Sequence, residues 1–408
     1  MRPEPPRGAT AARVAKNTLW LSVARVGTKL LSLPLVIILA RELGPEGFGQ
    51  WALVMSLVAI MATVAEGGFQ TLTIRDLAPR PGRAWSYLVR TMRVRLILSL
   101  LAGAGLVVWG ISVEGGRAPA WIFVLGAVLL FPEAFIRAGQ AVVNARERMG
   151  LTSGLSLAQA GLTALVVGGV VLAGAGVSGG LAALLAVNAA AAVAIGWVIR
   201  PFLLRDEAET QSAWRLFVAA FPYGLFALLV IIYVRIDVIM LAGLRGAEDA
   251  GYYSAALRLY EAGVIVPAAL TAALFPVMSR QLAGRDMTGL LASYLQAVRI
   301  LIILALPIAA AATFYSSWAV ELLFGSKYLP AAPALIVLGW SLIIFFVAAP
   351  VGNLLAASNL MAKFVPWFAA NTGLNIALNF WLIPLYGPRG AALATLITEA
   401  VGLPIQLV

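Results

Sequence analysis

Apolar stretches long enough to cross a bilayer follow one another along this chain from Leu19 to its last residue. They lie near 17–39, 48–70, 94–113, 119–143, 152–173, 179–200, 216–241, 252–277, 290–315, 331–350, 364–383 and 389–408, about twelve spans of a length that suits transmembrane helices. Gly- or Pro-containing turns separate them, such as Gly44-Pro45-Glu46-Gly47 and Tyr386-Gly387-Pro388. The 408 residues are 62% hydrophobic and 12% charged, where a soluble domain carries roughly 25% charge. Lipid must therefore solvate most of the chain, and no room is left for a sizeable aqueous domain. The first stretch is too long and too charged for a cleavable signal, and many spans follow it. The last span ends with the sequence, so further helices are expected beyond it.

Cysteine and histidine are both absent. That excludes a disulfide framework and thiolate chemistry, and removes the commonest general base and metal ligand. No metal site or cofactor is expected. The pI near 10.3 reflects Arg and Lys in short loops, a placement that suits anionic headgroups and topology and not nucleic acid. One set of alternate loops holds Arg2, Arg7, Arg13 and Lys16; Arg75, Arg80, Arg83, Arg90, Arg93 and Arg95; Arg137, Arg146 and Arg148; Arg200, Arg205 and Arg215; Arg280, Arg285 and Arg299; and Lys363. The other set holds only Arg41, Arg117, Arg245, Lys327 and Arg389. The positive-inside rule then places the N-terminus in the cytoplasm, and an even number of spans returns the C-terminus there.

Within the first span, Thr18, Ser22, Arg25, Lys29 and Ser32 recur at steps of four, three, four and three, which puts them on one helical face. Cations at that depth are too costly to leave facing lipid, so the stripe predicts a polar, cationic interior. Other spans carry polar faces of their own. Span two aligns Thr63, Glu66 and Gln70; span four Glu133, Arg137, Gln140 and Asn144; span five Thr152, Ser156, Gln159 and Thr163. Span eight carries Ser254, Arg258 and Glu261, and span eleven Asn371, Asn375 and Asn379. Spans three and six are nearly featureless and are placed against lipid.

For Ser and Thr, interhelical hydrogen bonding accounts for such stripes. For the charges, structural pairing and function stay open: Glu133–Arg137 and Arg258–Glu261 are each spaced to pair on a helix, and Arg25 can snorkel. Arg235 and Asp237 point to opposite faces and need separate partners or water. Glu66 and Glu399 are read as lying near the interface. Proline inside or beside spans, at Pro34, Pro132, Pro222, Pro267, Pro276, Pro307, Pro350 and Pro366, predicts static kinks.

Two turns share a pattern. Gly44-Pro45-Glu46-Gly47-Phe48-Gly49-Gln50-Trp51-Ala52 and Gly246-Ala247-Glu248-Asp249-Ala250-Gly251-Tyr252-Tyr253-Ser254 both read Gly, small, Glu, two variable residues, Gly. Six spans separate them, and the longest polar cytoplasmic segment, Arg205 to Gln211, lies midway. Parallel halves of about six helices follow, related by an axis along the membrane normal. The expected division is 1–200 for the first lobe, 201–215 for a cytoplasmic linker and 216–408 for the second lobe.

Asn17-Thr18-Leu19-Trp20 with Ala40-Arg41-Glu42-Leu43-Gly44-Pro45-Glu46-Gly47-Phe48-Gly49 resembles the opening of bacterial polysaccharide-biosynthesis flippases, the Wzx-type O-antigen transporters. Arg235-Ile236-Asp237 followed by Gly251-Tyr252-Tyr253-Ser254-Ala255-Ala256, and Leu323-Phe324-Gly325-Ser326-Lys327-Tyr328 with Leu382-Ile383-Pro384-Leu385-Tyr386-Gly387-Pro388-Arg389-Gly390-Ala391-Ala392, resemble later parts of the same proteins. The resemblance covers nearly the whole chain and rests on the order and spacing of its motifs.

It implies the multidrug/oligosaccharidyl-lipid/polysaccharide exporter superfamily: an all-α membrane protein with a MATE-like fold, two bundles and alternating access. Similar proteins move undecaprenyl-diphosphate-linked oligosaccharide across the bacterial inner membrane for O-antigen, lipopolysaccharide or other surface glycans. They are transporters, not enzymes. Members often have more spans than are found here. Carried over, Arg25, Lys29, Arg235 and Arg258 would hold the diphosphate. Asn371, Asn375, Asn379, Gln159 and Tyr260 would line the sugar path, and Asp237, Glu261, Glu133 and Glu66 would balance charge or couple an ion, H+ or Na+. Expected partners are the lipid-linked oligosaccharide and membrane lipid, with a glycan polymerase and glycosyltransferases nearby and the protein working as a monomer.

Two rivals remain: an ion-coupled drug or metabolite antiporter of the same fold, which would favour an acidic pocket, and a membrane glycan polymerase or ligase, which needs a large external loop that no stretch here supplies. No Gly-x-x-x-x-Gly-Lys-Ser/Thr run is present, so ATP hydrolysis is not expected.

Overall fold

The computed structural model describes residues 7–114, 118–203, 212–357 and 361–407. Among them every regular element is helical: thirteen α-helices and three short 3-10 turns. The α-helices are α1 Arg7–Glu66, α2 Phe69–Leu77, α3 Ala84–Glu114, α4 Ala120–Ala145, α5 Met149–Leu172, α6 Gly176–Ile199, α7 Ala213–Arg245, α8 Ala247–Gly263, α9 Ile265–Ala283, α10 Met287–Phe324, α11 Ala332–Ala357, α12 Met361–Tyr386 and α13 Pro388–Leu407. Eight are long and apolar enough to cross a membrane, so the protein is a multi-pass all-α membrane protein.

α1 holds the first two expected spans in one run broken at Gly44, whose backbone (φ 67°, ψ 179°) is not helical. The eighth expected span is two helices: α8, at 17 residues the short end of what a span needs, passes into α9 after Val264 alone.

The chain divides into two compact units. The first comprises residues 1–42 and 57–231, the second 43–56 and 232–408. The division falls inside α7, and residues 43–56 group with the second unit. Most of the expected linker, residues 204–211, lies outside the described residues.

In the first unit, Phe69, Leu72 and Leu77 of α2 are buried together with Tyr87 of α3, Ile136 and Val142 of α4, Ala191 and Ile195 of α6 and Leu216 and Ala220 of α7. The span-two stripe ends earlier than its spacing suggests. The helix stops at Glu66, Gly67 and Gly68 take positive φ, and Gln70 falls on α2. A Cβ on Gly68 would collide with the Ala220 carbonyl, and one on Gly224 would collide with the backbone of Gly67. Only glycine lets the break lie this close to α7.

In the second unit, Leu301 and Ala305 of α10 pack on Leu342 and Phe346 of α11, with Tyr260, Val264 and Leu270 against them. The two copies of the repeated turn meet each other here. A Cβ on Gly49 would overlap the Ala247 carbonyl oxygen, and one on Gly251 would overlap that of Pro45. Equivalent residues of the repeat thus contact one another reciprocally, as a local twofold relation requires. Tyr328 closes this crossing, with Phe48, Tyr252 and Phe324 around its ring at centroid distances of 6.3, 6.2 and 5.7 Å.

Candidate functional site

The polar side chains concentrate in the second unit, where α7, α8, α12 and α13 supply them. On α7, Arg235 and Asp237 are two residues apart, a rotation of about 200°, and they serve two separate clusters.

The first cluster is cationic. Arg235 Nη1 lies 3.6 Å from Glu261 Oε1, and Arg258 Nη1 lies 2.8 Å from Glu261 Oε2. One carboxylate therefore serves two guanidinia, one along α8 and one from α7. All three side chains keep about a quarter of their surface exposed, and Arg235 Nε is sealed without a hydrogen-bond partner. The arrangement leaves one positive charge and free donor capacity, the chemistry that holds a phosphate or carboxylate.

The second cluster is acidic and amide-rich. Asp237 is buried, and three donors converge on it: Tyr253 Oη at 2.7 Å and Thr395 Oγ1 at 3.0 Å on Oδ2, and Asn379 Nδ2 at 2.6 Å on Oδ1. Asn379 Nδ2 also donates to Asn375 Oδ1 at 3.0 Å, and Asn375 Nδ2 reaches Thr398 Oγ1 at 3.4 Å. The four-residue spacing of the α12 asparagines produces this ladder by stacking them on one face. Asn371 begins the same face, buried, with its Oδ1 unpartnered, and Asn379 Oδ1 is likewise unpartnered. Among the described residues no cation pairs with Asp237. Beside this ladder, Tyr260 donates to Glu399 Oε1 at 3.0 Å. Glu399 is half-buried, and its Oε2 is sealed from solvent with no hydrogen-bond partner.

The remaining expected residues lie in the first unit, in different places. Lys29 is exposed on α1 beside Ser32, whose hydroxyl donates to the Lys29 carbonyl at 2.7 Å; the Arg25 side chain lies outside the described set. Glu133 and Arg137 pair at 2.8 Å one turn apart on α4. Gln159 of α5 donates to Asn188 Oδ1 of α6 at 2.9 Å, so the sixth span carries a polar link and not only a lipid face.

Glu66, expected near the interface, is buried. It accepts from the Gly68 backbone N–H at 2.9 Å and from that of Gln70, capping α2, and it pairs with Arg95 at 3.4 Å. The sequence groups Arg95 with the loop cations ahead of a nearly featureless span. α3 instead begins at Ala84, and Arg95 is fully buried over the Phe69 ring, 5.4 Å from its centroid. Its Nε and Nη1 and the hydroxyl of Ser99, one turn on, have no hydrogen-bond partner.

Other loop cations do lie where the sequence expects them. Arg146 and Arg148, after α4, both stack on Phe202 at 5.5 and 5.6 Å, and Arg146 donates to the Phe202 carbonyl at 3.0 Å. Burial first, and Arg148 second, hold the Arg146 guanidinium below its ordinary range.

A helical membrane protein with a charged, amide-rich interior is the class that fold and clusters define. The solved structures similar to it have the same architecture. A multidrug resistance MATE family transporter of the MOP superfamily, in an inward-facing conformation, matches with a TM-score of 0.73 at 17% identity, over 95% of this chain and 97% of its own. The lipid II flippase MurJ, in an inward closed conformation, matches with a TM-score of 0.75 at 14% identity, over 95% of this chain and 86% of its own. Among curated proteins, a probable low-salt glycan biosynthesis flippase, Agl15 of Haloferax volcanii, is 22% identical over 394 residues, covering 95% of this chain and 81% of the relative.

Residues 14–282 match the family model described as polysaccharide biosynthesis protein, and residues 222–381 match that of MatE. The chain belongs to the polysaccharide biosynthesis protein family and has the MATE-like fold.

Proposed function

We propose that the protein is a flippase that carries an oligosaccharide linked to undecaprenyl diphosphate from the cytoplasmic to the outer leaflet by alternating access. The observation that carries this reading is the uneven Arg235–Glu261–Arg258 cluster, two guanidinia on one carboxylate. Its excess charge and unpartnered donor suit a diphosphate, which bears negative charge through all of its journey. Lys29, exposed on α1 of the first unit, is a further candidate for attracting an anionic headgroup. The similarity to Agl15, a glycan flippase by its name, and to MurJ supports the choice of a lipid-linked glycan.

In this reading the protein works as a monomer in the cytoplasmic membrane with its N-terminus inside. It hands substrate from glycosyltransferases to a polymerase and catalyses no covalent step. A potential negative inside favours outward movement of an anionic headgroup by about 2.3 kcal/mol per charge per 100 mV. Asp237, with Asn379 and Thr395, would take the coupling ion, H+ or Na+.

The test is transport of a fluorescent lipid-diphosphate-linked sugar in proteoliposomes. The variant R235Q/E261Q/R258Q removes both cations and their carboxylate together, so no charge is left buried alone. Flipping is expected to fall at least tenfold, a difference of about 1.4 kcal/mol, with the protein still monodisperse. An unchanged rate would sink the proposal. D237N is expected to blunt the response to an imposed proton or sodium gradient while leaving diphosphate binding intact.

An antiporter for organic cations draws on one observation: Asp237, buried beside Tyr253, has no counter-ion among the described residues. Tight binding of amphipathic cations with none of lipid diphosphates would favour it.

A further inference from the structure

We infer that Glu399 on α13 is a proton-binding site of its own, separate from the ion site assigned to Asp237. Sequence places Glu399 in an apolar run, with nothing to distinguish it from a helix-end acid at the membrane surface. The structure turns it into the second unit instead. Its Oε1 accepts one hydrogen bond, from Tyr260 of α8, and its Oε2 is cut off from solvent without any hydrogen-bond partner.

The groups that face this carboxyl come from three neighbouring helices. Tyr260 belongs to α8, Tyr233 and Asp237 to α7, and the Ser341 hydroxyl to α11. Ser341 donates to the Leu338 carbonyl at 2.9 Å. Among the described residues no arginine or lysine is one of these neighbours, and the other formal charge acting on it is that of Asp237, of the same sign.

A carboxylate inside a membrane protein needs a cation, several donors or water. Three donors lie within 3.0 Å of Asp237; at Glu399, among the described residues, Tyr260 alone comes that close, with the Ser341 hydroxyl a further neighbour. The two acids are therefore not equivalent, although one tyrosine, Tyr233, lies near both. Asp237 has the oxygen-rich surroundings of an ion site. Glu399 has the surroundings of a neutral acid, with its proton on the oxygen that no described neighbour hydrogen-bonds. The chemistry is binding and release of H+ at one oxygen. No bond other than O–H forms or breaks, and the proton exchanges with water when that oxygen becomes hydrated.

Under the transport reading above, on which the coupling role alone rests, Glu399 gives the protein a proton to trade in addition to whatever ion Asp237 takes. Occupancy of the site is a property of the resting protein, and it is measured without substrate or transport.

The experiment is infrared difference spectroscopy of the full-length protein in lipid nanodiscs, from acid to alkaline buffer. A carboxylic-acid C=O band is expected in wild-type protein, and it should be lost in E399Q and retained in D237N. Y260F removes the single donor to Oε1 and is expected to keep the band but shift its frequency. That shift tests the assignment even if E399Q is poorly folded. A wild-type spectrum with no protonated-carboxyl band, or a band that survives in E399Q and ignores Y260F, overturns the proposal. Since no glycan is present, failure here would leave the flippase reading standing. Failure of lipid-diphosphate transport would equally leave the proton site in place.

Discussion

Removing the Arg95 guanidinium would leave Glu66 in the first unit with its oxygens on two backbone N–H groups and no counter-ion. Breaking a buried ion pair from one side costs about 3–5 kcal/mol. R95A is therefore expected to lower the thermal midpoint in detergent sharply, followed by fluorescence-detected size exclusion. R95M/E66Q removes both charges, keeps volume at position 95 and should recover a large part of the loss, because coupled partners are not additive. If the double variant melts no higher than R95A, the pair is not what holds this corner.

The same residue shows where the sequence runs out. Asp237, Asn375 and Asn379 are legible because a polar residue recurring inside an apolar run must find company, and spacing says on which face. Arg95 and Glu399 sit at positions that the rules for membrane sequences assign to helix flanks. An arginine ahead of an apolar stretch and an acid near the end of one have the same one-dimensional surroundings whether they meet headgroups or a neighbouring helix. Only the helices packed against them separate the two cases. The pairing of Arg235 with Glu261 was hidden for a related reason: Glu261 has a closer partner in sequence, Arg258, and the structure gives it both.

Among elements, the two glycine crossings are where backbone meets backbone. Gly49 and Gly251 each leave room for the carbonyl of the other copy of the repeat, Ala247 or Pro45. A valine at either position adds bulk that no side-chain motion can accommodate. Overpacking costs typically 1–3 kcal/mol where neighbours can shift, and more is expected against rigid backbone. G49V and G251V should each lower the yield of monodisperse protein strongly. G105A, on α3 where a Cβ meets nothing within 4 Å, should be neutral or stabilise by up to about 1 kcal/mol. Equal behaviour of the three variants in a thermal-shift assay would refute the crossing argument. The repeated Gly-x-Glu-x-x-Gly turns were legible from sequence as a pattern. That the two copies touch was not, since a turn's residues record its own backbone shape and not what lies against it.

For the molecule as a whole, the consequence of the two units is that neither half of the sequence contains a whole one. The first unit needs residues 213–231 of α7, and the second needs residues 43–56 from the second arm of α1. A chain cut between residues 207 and 208, inside the segment read as a polar linker, separates each unit from a piece of itself. Fragment 1–207 would leave the α2 face that packs on Leu216 and Ala220 exposed, and fragment 208–408 would leave Gly251 and Tyr328 without the Gly49 and Phe48 that cover them. Apolar surface of that kind drives aggregation outside its proper packing. Each fragment made alone is therefore expected to elute as aggregate or be degraded. The two made together, one tagged, should co-purify as a single monodisperse species that still melts cooperatively. The sequence divides the chain into two lobes joined by a polar linker. The exchanged segments predict interdependence, and a monodisperse, heat-stable fragment of either kind would show that the exchange is dispensable.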